Sequence, residues 1–137
     1  MRVEAYLNFN GRCAEAIEFY KKALDAHVTM LLHFKDCPEP QQQQGMTPGT
    51  ADKVMHASFV IGETRVMASD GRCAGTTNFS GINLSLGLDS DAEAIKRFNA
   101  LAEGGKITMP LTKTFYSSNF GMVTDKFGVS WMVIVNQ

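Results

Sequence analysis

The same order of predicted elements occurs twice along this chain, and the repetition limits the folds open to it more than any other feature of the sequence. The sequence pattern of each half predicts a strand, an amphipathic helix and then three more strands. The segment Ala14-Glu15-Ala16-Ile17 of the first predicted helix returns 78 residues later as Ala92-Glu93-Ala94-Ile95. Such repetition indicates two copies of one supersecondary unit, with chance reuse of a helix-forming tetrapeptide as the alternative. We predict a single domain over residues 1–137, with βαβββ modules at about 1–72 and 78–137.

Hydrophobic periodicity places the elements of the first half. Residues 2–9 alternate between apolar and polar side chains, as half-buried strands do. A helical stripe follows at Cys13, Ala16, Ile17, Tyr20 and Leu24 and ends near Asp25. Gly62-Glu63 suits a two-residue type II′ hairpin turn. The predicted strands are residues 2–9, 28–34, 54–61 and 64–69, and the Pro- and Gln-rich segment 36–52 predicts a loop, with a lid over a site as the alternative.

The second half repeats this pattern. Ser90 and Glu93 form a capping-box signature at the start of the second predicted helix, which ends at Glu103-Gly104-Gly105. The predicted strands are residues 81–88, 106–109, 120–124 and 129–135.

Composition and charge exclude several classes of protein. A hydrophobic content of 45% and a charged content of 20% are typical of a globular domain. The net charge of −1 gives no basic footprint for a nucleic acid. Arg2 and Glu4 stand where a signal peptide needs apolar residues, so we expect a cytoplasmic protein without a membrane span. Cys13, Cys37 and Cys73 are widely spaced, which favours free thiols.

Short motifs spread along the chain point to a family. In the first half they are Tyr6-Leu7-Asn8-Phe9-Asn10-Gly11, Ala16-Ile17-Glu18-Phe19-Tyr20, Met55-His56-Ala57 and Met67-Ala68-Ser69-Asp70. In the second half they are Gly105-Lys106-Ile107, Thr114-Phe115, the segment 120–128 and Trp131-Met132. With the element order, these motifs resemble the PhnB-like branch of the glyoxalase, bleomycin-resistance and dioxygenase superfamily, the vicinal oxygen chelate proteins. The resemblance covers nearly the whole chain apart from residues 36–52.

The resemblance implies an α+β fold in which two βαβββ modules form curved mixed sheets around a cleft, commonly in a homodimer. It implies no settled reaction, so whether the protein is an enzyme stays open. PhnB-like proteins are named after a phosphonate-utilisation gene cluster, and some carry a demethylubiquinone methyltransferase label. The usual methyltransferase site needs a Gly-rich loop after one strand and an acidic residue after the next, and the sequence shows neither.

Enzymes of the superfamily typically hold a divalent metal with His or Glu side chains from the first and last strands of each module. The corresponding positions here are Ala5, Asn83, Val66 or Met67, and Met132. None carries a carboxylate or an imidazole, the donors that such ions prefer. We therefore expect no metal and no other cofactor.

Four residues are the predicted ligand contacts. His56 is the candidate acid or base because only imidazole normally changes charge near neutral pH, and Asp70 is predicted to lie beside it and orient it. Tyr116 and Phe120 combine aromatic and polar character, which suits the rim of a small-molecule pocket. The alternatives are a buried structural imidazole, a plain turn at Asp70 and an aromatic plug at the sheet end. Arg65 and Lys113 are candidate attractors of an anionic ligand.

Three functions remain open from the sequence. The first, which we favour, is binding of a small organic molecule in the cleft of a homodimer without the usual metal. The second is a lyase, isomerase or dioxygenase whose metal is held by unusual ligands such as His56 and Asp70. The third is a structural dimer with a vestigial cleft.

Overall fold

The computed structural model describes residues 1–36, 49–71, 73 and 76–136. Two compact units, Met1–Thr77 and Asn78–Gln137, each contain a strand, a helix and three further strands. The predicted α+β class is confirmed, with one four-stranded mixed sheet in each unit. The single-domain boundary stays a prediction, and most of the predicted loop 36–52 lies outside the described residues. Among those residues, no helix is long and apolar enough to cross a membrane.

The first unit contains β1, α1, β2, β3 and β4. Their bounds are β1 Tyr6–Asn8, α1 Cys13–Leu24, β2 His27–His33, β3 Val54–Ile61 and β4 Thr64–Ser69, with a 3-10 turn at Phe34–Asp36. The predicted hairpin of β3 and β4 is confirmed at both its bounds and its turn, where Gly62 has φ 59°. The first strand is shorter than predicted, because the preceding residues run past the sheet and leave Val3 95% exposed.

The strands of the first unit follow the order β1-β4-β3-β2. The strand β1 runs parallel to β4, while β3 is antiparallel to both β4 and β2. The helix α1 covers one face of this sheet, where Tyr20 stacks on Phe59 of β3 with ring centroids 6.1 Å apart. Because side chains alternate along a strand, the residues next to Phe59 point to the opposite face.

The second unit contains β5, α2, β6, β7 and β8. Their bounds are β5 Leu84–Leu88, α2 Asp91–Ala102, β6 Lys106–Thr112, β7 Phe120–Thr124 and β8 Ser130–Val135, in the sheet order β5-β8-β7-β6. The predicted cap of α2 is confirmed, since the Ser90 hydroxyl accepts the Glu93 amide at 3.2 Å. The strand β6 runs further than predicted and includes Pro110. An edge strand tolerates proline because one of its sides needs no ladder hydrogen bond.

Candidate functional site

The face of the first sheet opposite α1, called the first open face below, carries side chains from all four strands. Strand register arranges them in three rows about 6.6 Å apart, the length of two strand residues. The first row is Arg65, Val60 and His27, joined by Glu4, which lies before β1 and contacts Arg65 by its side chain. The second row is Tyr6, Met67, Ser58 and Met30, and the third is Asn8, Ser69, His56 and Leu32. The face therefore mixes apolar side chains with hydrogen-bonding groups near its middle.

A hydrogen bond between Tyr6 and His56 spans this face. The Tyr6 hydroxyl lies 3.0 Å from His56 Nδ1, and the two ring centroids are 5.6 Å apart. The hydroxyl either donates to Nδ1 or accepts from it, and the choice decides whether Nε2 is a donor or an acceptor. Nε2 makes no hydrogen bond to any described residue, so a ligand that offers either role can use it. His56 is half-buried, and Tyr6 is 50% exposed.

Glu4 and Arg65 form an ion pair in the first row. Arg65 Nη2 lies 2.7 Å from Glu4 Oε1, and Arg65 Nε lies 2.9 Å from Glu4 Oε2. This two-point contact matches the planar guanidinium to the carboxylate. The hydrogen bond from Arg65 holds the pKa of Glu4 below its usual value. The Glu4 side chain is 12% exposed and that of Arg65 is 45% exposed, so the pair lies at the surface.

Asp70 is placed differently from the sequence prediction. Its carboxyl group accepts three backbone amides, from Gly11 at 2.8 Å, Cys13 at 2.7 Å and Val54 at 2.9 Å. Continuing the β3–β4 register by one residue pairs His56 with Ser69, so Asp70 points to the helix side of the sheet. The prediction that Asp70 orients His56 is therefore wrong, and Tyr6 occupies that role. Whether Asp70 touches a ligand stays a prediction.

The positions of a superfamily metal carry no cluster of ligands. No group of three or more His, Cys, Asp or Glu side chains able to hold an ion occurs among the described residues. The His56 and Asp70 side chains point to opposite sides of the sheet, so these two groups do not share an ion. In β1 the Tyr6 side chain points to the first open face, whereas Leu7 is buried toward α1. Ala5, the residue predicted from the sequence for the metal-bearing position of this strand, therefore points to the helix side, one residue away from that position.

Tyr116 and Phe120 lie in the second unit and are in contact. Their ring centroids are 5.6 Å apart, and Phe115 stacks edge-on against Tyr116 at 4.9 Å. The loop that carries them is held by Ser117, whose buried hydroxyl lies 2.9 Å from the Val135 carbonyl oxygen. A Cβ atom added to Gly121, the next residue of β7, would contact Phe98 of α2. Because neighbouring residues of a strand point to opposite faces, Phe120 lies on the face of the second sheet opposite α2. The role of both residues in ligand binding stays a prediction.

The described cysteines are free, as predicted, and are poor nucleophiles. Burial, with Asp70 nearby, raises the pKa of Cys13 to about 12. Burial also raises the pKa of Cys73. Both thiols therefore stay protonated at neutral pH, and only the thiolate is reactive. Cys37 lies outside the described residues.

Sequence reasoning missed Tyr6 as a site residue. The signal was present, because the alternation of residues 2–9 already placed Tyr6 and Asn8 on the side opposite Leu7. What the alternation does not contain is the distance to His56, which lies 50 residues along the chain.

Comparison with known proteins shows what this chain is similar to. Residues 2–134 match the family model described as 3-demethylubiquinone-9 3-methyltransferase. Protein YjdN of Escherichia coli is 37% identical over 142 residues, covering 98% of this chain and 95% of YjdN. The crystal structure of PA1353 from Pseudomonas aeruginosa has a TM-score of 0.86 at 43% identity, covering 100% of this chain and 98% of that one.

Two further solved structures extend the comparison. A putative 3-demethylubiquinone-9 3-methyltransferase, PhnB protein, from Bacillus cereus has a TM-score of 0.81 at 26% identity, covering 98% of this chain and 99% of that one. A glyoxalase-related enzyme from Fulvimarina pelagi has a TM-score of 0.64 at 15% identity, covering 99% of this chain and 88% of that one. The second likeness is one of fold alone.

Proposed function

This chain belongs to the PhnB-like family, whose model is described as 3-demethylubiquinone-9 3-methyltransferase, and on that premise we propose that it binds a small organic molecule on its first open face without a metal. The observation that carries the proposal is the Tyr6–His56 hydrogen bond, which leaves Nε2 available to a ligand. Small-molecule sites commonly combine apolar surface with a few placed polar groups, and this face has that composition.

The surroundings of His56 support a ligand with an apolar body. Leu32 pairs with His56 across β2 and β3, and Met30 and Met67 flank Ser58 in the neighbouring row. Met30 and Leu32 are 49% and 38% exposed, which leaves apolar area for a ligand to cover. Methionine side chains are flexible and adapt to ligands of different shape.

The methyltransferase description of the family gains no support from the fold of this chain. Doubly wound folds bind a nucleotide cofactor where the amides of the first strand-to-helix turn face the ligand. The corresponding turn here directs the amides of Gly11 and Cys13 at Asp70. These two amides are therefore already engaged by a carboxyl group of the chain itself.

The binding proposal predicts a response from His56 and Tyr6 to an aromatic alcohol. We expect benzyl alcohol, titrated into the isotope-labelled protein, to shift amide NMR signals of β3 and β4. His56→Ala removes the free nitrogen and is expected to weaken binding by about tenfold, and Tyr6→Phe by about threefold, since single hydrogen bonds contribute roughly 0.5–1.5 kcal/mol. The midpoint of each titration gives the affinity.

Matched variants separate this site from the rest of the molecule. His27→Ala removes an exposed imidazole from the first row of the same face, about 13 Å or two rows from His56, and is expected to leave the affinity unchanged. Tyr116→Ala and Phe120→Leu test the predicted contacts of the second unit by the same titration. Unchanged affinity in both His56→Ala and Tyr6→Phe would contradict the placement of the ligand on the first open face.

We also propose that the protein is a homodimer, which its unpaired strand edges support. The edge strand β2 carries Met30, Leu31 and Leu32, all at least 38% exposed, and such edges invite pairing with another chain. Light scattering is expected to give twice the chain mass of 15.0 kDa. Leu31→Lys is expected to shift the mass toward one chain, with Lys22→Ala on α1 as the neutral control. A single-chain mass for the wild-type protein at all concentrations would contradict the dimer.

Two expectations from the sequence stay predictions. They are the cytoplasmic location and the lack of a nucleic-acid partner.

A further inference from the structure

We infer that the ligand of the first open face is an uncharged molecule, which offers a hydroxyl or carbonyl group to His56 and an apolar body to the surrounding side chains. This inference rests on the proposed function and adds the chemical class of the ligand. The family's name and the presence of Arg65 would suggest a phosphonate or a carboxylate as the ligand. The inferred ligand is instead uncharged.

The charges on the face are already balanced. Among the twelve side chains of its three rows, Arg65 alone carries a permanent positive charge and Glu4 alone carries a carboxylate. Their contact at 2.7 and 2.9 Å uses two guanidinium nitrogens and both carboxylate oxygens. A site that recognises a phosphonate or carboxylate normally presents an available Arg or Lys. On the first open face the one permanent cation, Arg65, is already paired with Glu4.

Recruiting Arg65 to an anion would also leave Glu4 without its partner. The Glu4 side chain is 12% exposed, and that of Arg65 is 45% exposed. Moving Arg65 to a ligand would break both of its hydrogen bonds to Glu4. An anionic ligand would in addition lie close to the carboxylate of Glu4. Both effects favour an uncharged ligand on this face.

The polar groups near His56 act as neutral hydrogen-bonding partners. The Ser69 hydroxyl accepts the Gly71 amide at 3.1 Å, and Asn8 Oδ1 accepts the Asn10 amide at 2.9 Å. These two acceptors are thus engaged by the backbone. His56 Nε2 can meet one polar atom of a ligand, and the Asn8 amide and the Ser69 hydroxyl keep neutral donors beside it. A hydroxyl or carbonyl group supplies one such atom without a charge.

The apolar side chains define the rest of the ligand. Leu32 borders His56 on one side, and Met30 and Met67 occupy the next row, about 6.6 Å away. That spacing matches the length of a single aromatic ring or a short aliphatic chain. An uncharged molecule with one polar end and an apolar body therefore fits the described face.

The test compares three probes of one shape, which are benzyl alcohol, benzoate and phenylphosphonate. Each is titrated into the isotope-labelled protein by NMR at about pH 8, above the range in which imidazole normally changes charge. We expect benzyl alcohol to bind at least about tenfold more tightly than either anion, with shifts centred on β3 and β4.

A single substitution is expected to reverse this preference. Glu4→Gln keeps the size of the side chain and leaves the charge of Arg65 uncompensated. Benzoate and phenylphosphonate are expected to gain about fivefold or more in affinity, while benzyl alcohol changes less than about twofold. Glu18→Gln makes the same change of net charge on the exposed side of α1, where Glu18 pairs with Lys21 at 2.9 Å. This control is expected to leave all three affinities unchanged.

The outcomes distinguish the two proposals. If no probe shifts signals of β3 and β4, the binding proposal fails, and the inferred ligand class fails with it. If the anions bind to these strands as tightly as benzyl alcohol in the wild-type protein, the binding proposal stands and the inferred class is wrong. Equal gains for anions in Glu4→Gln and Glu18→Gln would show that net charge, not the Glu4–Arg65 pair, sets the preference, and would also overturn it.

Discussion

Replacing Asp70 with alanine is expected to lower the free energy of unfolding by roughly 3–5 kcal/mol. The Asp70 carboxyl group is 1% exposed and accepts amides from the β1–α1 turn and from the start of β3. Alanine leaves these amides without an acceptor, and each buried unsatisfied donor costs about 1–3 kcal/mol. The loss should be large because this one side chain links the end of β4 to the β1–α1 turn and to the start of β3.

Urea unfolding followed by circular dichroism measures this effect. Asp25→Asn is the matched control, since Asp25 ends α1 in a left-handed conformation that asparagine tolerates and its side chain is 75% exposed. We expect the control to lie within about 0.5 kcal/mol of the wild type. A loss below about 1 kcal/mol for Asp70→Ala would show that water replaces the carboxyl group, and the bracing role assigned to it would be wrong.

The elements of this fold could be predicted because they depend on local patterns. The helices α1 and α2 show the same 78-residue offset as the tetrapeptides that predicted them. The hairpin of β3 and β4 was also correct, since a two-residue turn fixes which residues pair. The strand β1 was predicted too long because alternation shows which side chains share a face and not where the neighbouring strand ends.

The site was harder to predict because it depends on faces and register. His56 and Asp70 are near each other along the hairpin, as expected. His56 pairs with Ser69, however, and Asp70 is the next residue, so its side chain points to the opposite side of the sheet. The Tyr6–His56 contact crosses β4 and has no local signature. Arg65 was considered as an anion attractor, yet its partner Glu4 comes from a segment 61 residues earlier. Interactions of this kind follow from tertiary structure alone.

Gly105→Ala is expected to destabilise the protein by about 3 kcal/mol, although Gly105 is exposed. A Cβ atom at this position would lie 2.2 Å from the Thr124 carbonyl oxygen and 2.9 Å from the Asp125 backbone. The approach is close because Gly105 directly precedes β6, whose first residue pairs with Thr124 of β7. Backbone atoms inside a sheet cannot move aside as a side chain can, so the strand β6 would have to shift.

Gly87→Ala is the matched control for this prediction, and it is measured by the same urea unfolding. Its Cβ atom would also meet a near neighbour, at 2.9 Å, but that neighbour is Nδ2 of the exposed Asn136 side chain. Because this amide can rotate away, we expect Gly87→Ala to cost less than about 1 kcal/mol. The two variants make the same chemical change at opposite edges of one sheet, since Gly87 lies in β5 and Gly105 directly precedes β6, and neither glycine has a positive φ. If both variants lost the same free energy of unfolding, contact with rigid backbone would not be the reason that position 105 requires glycine.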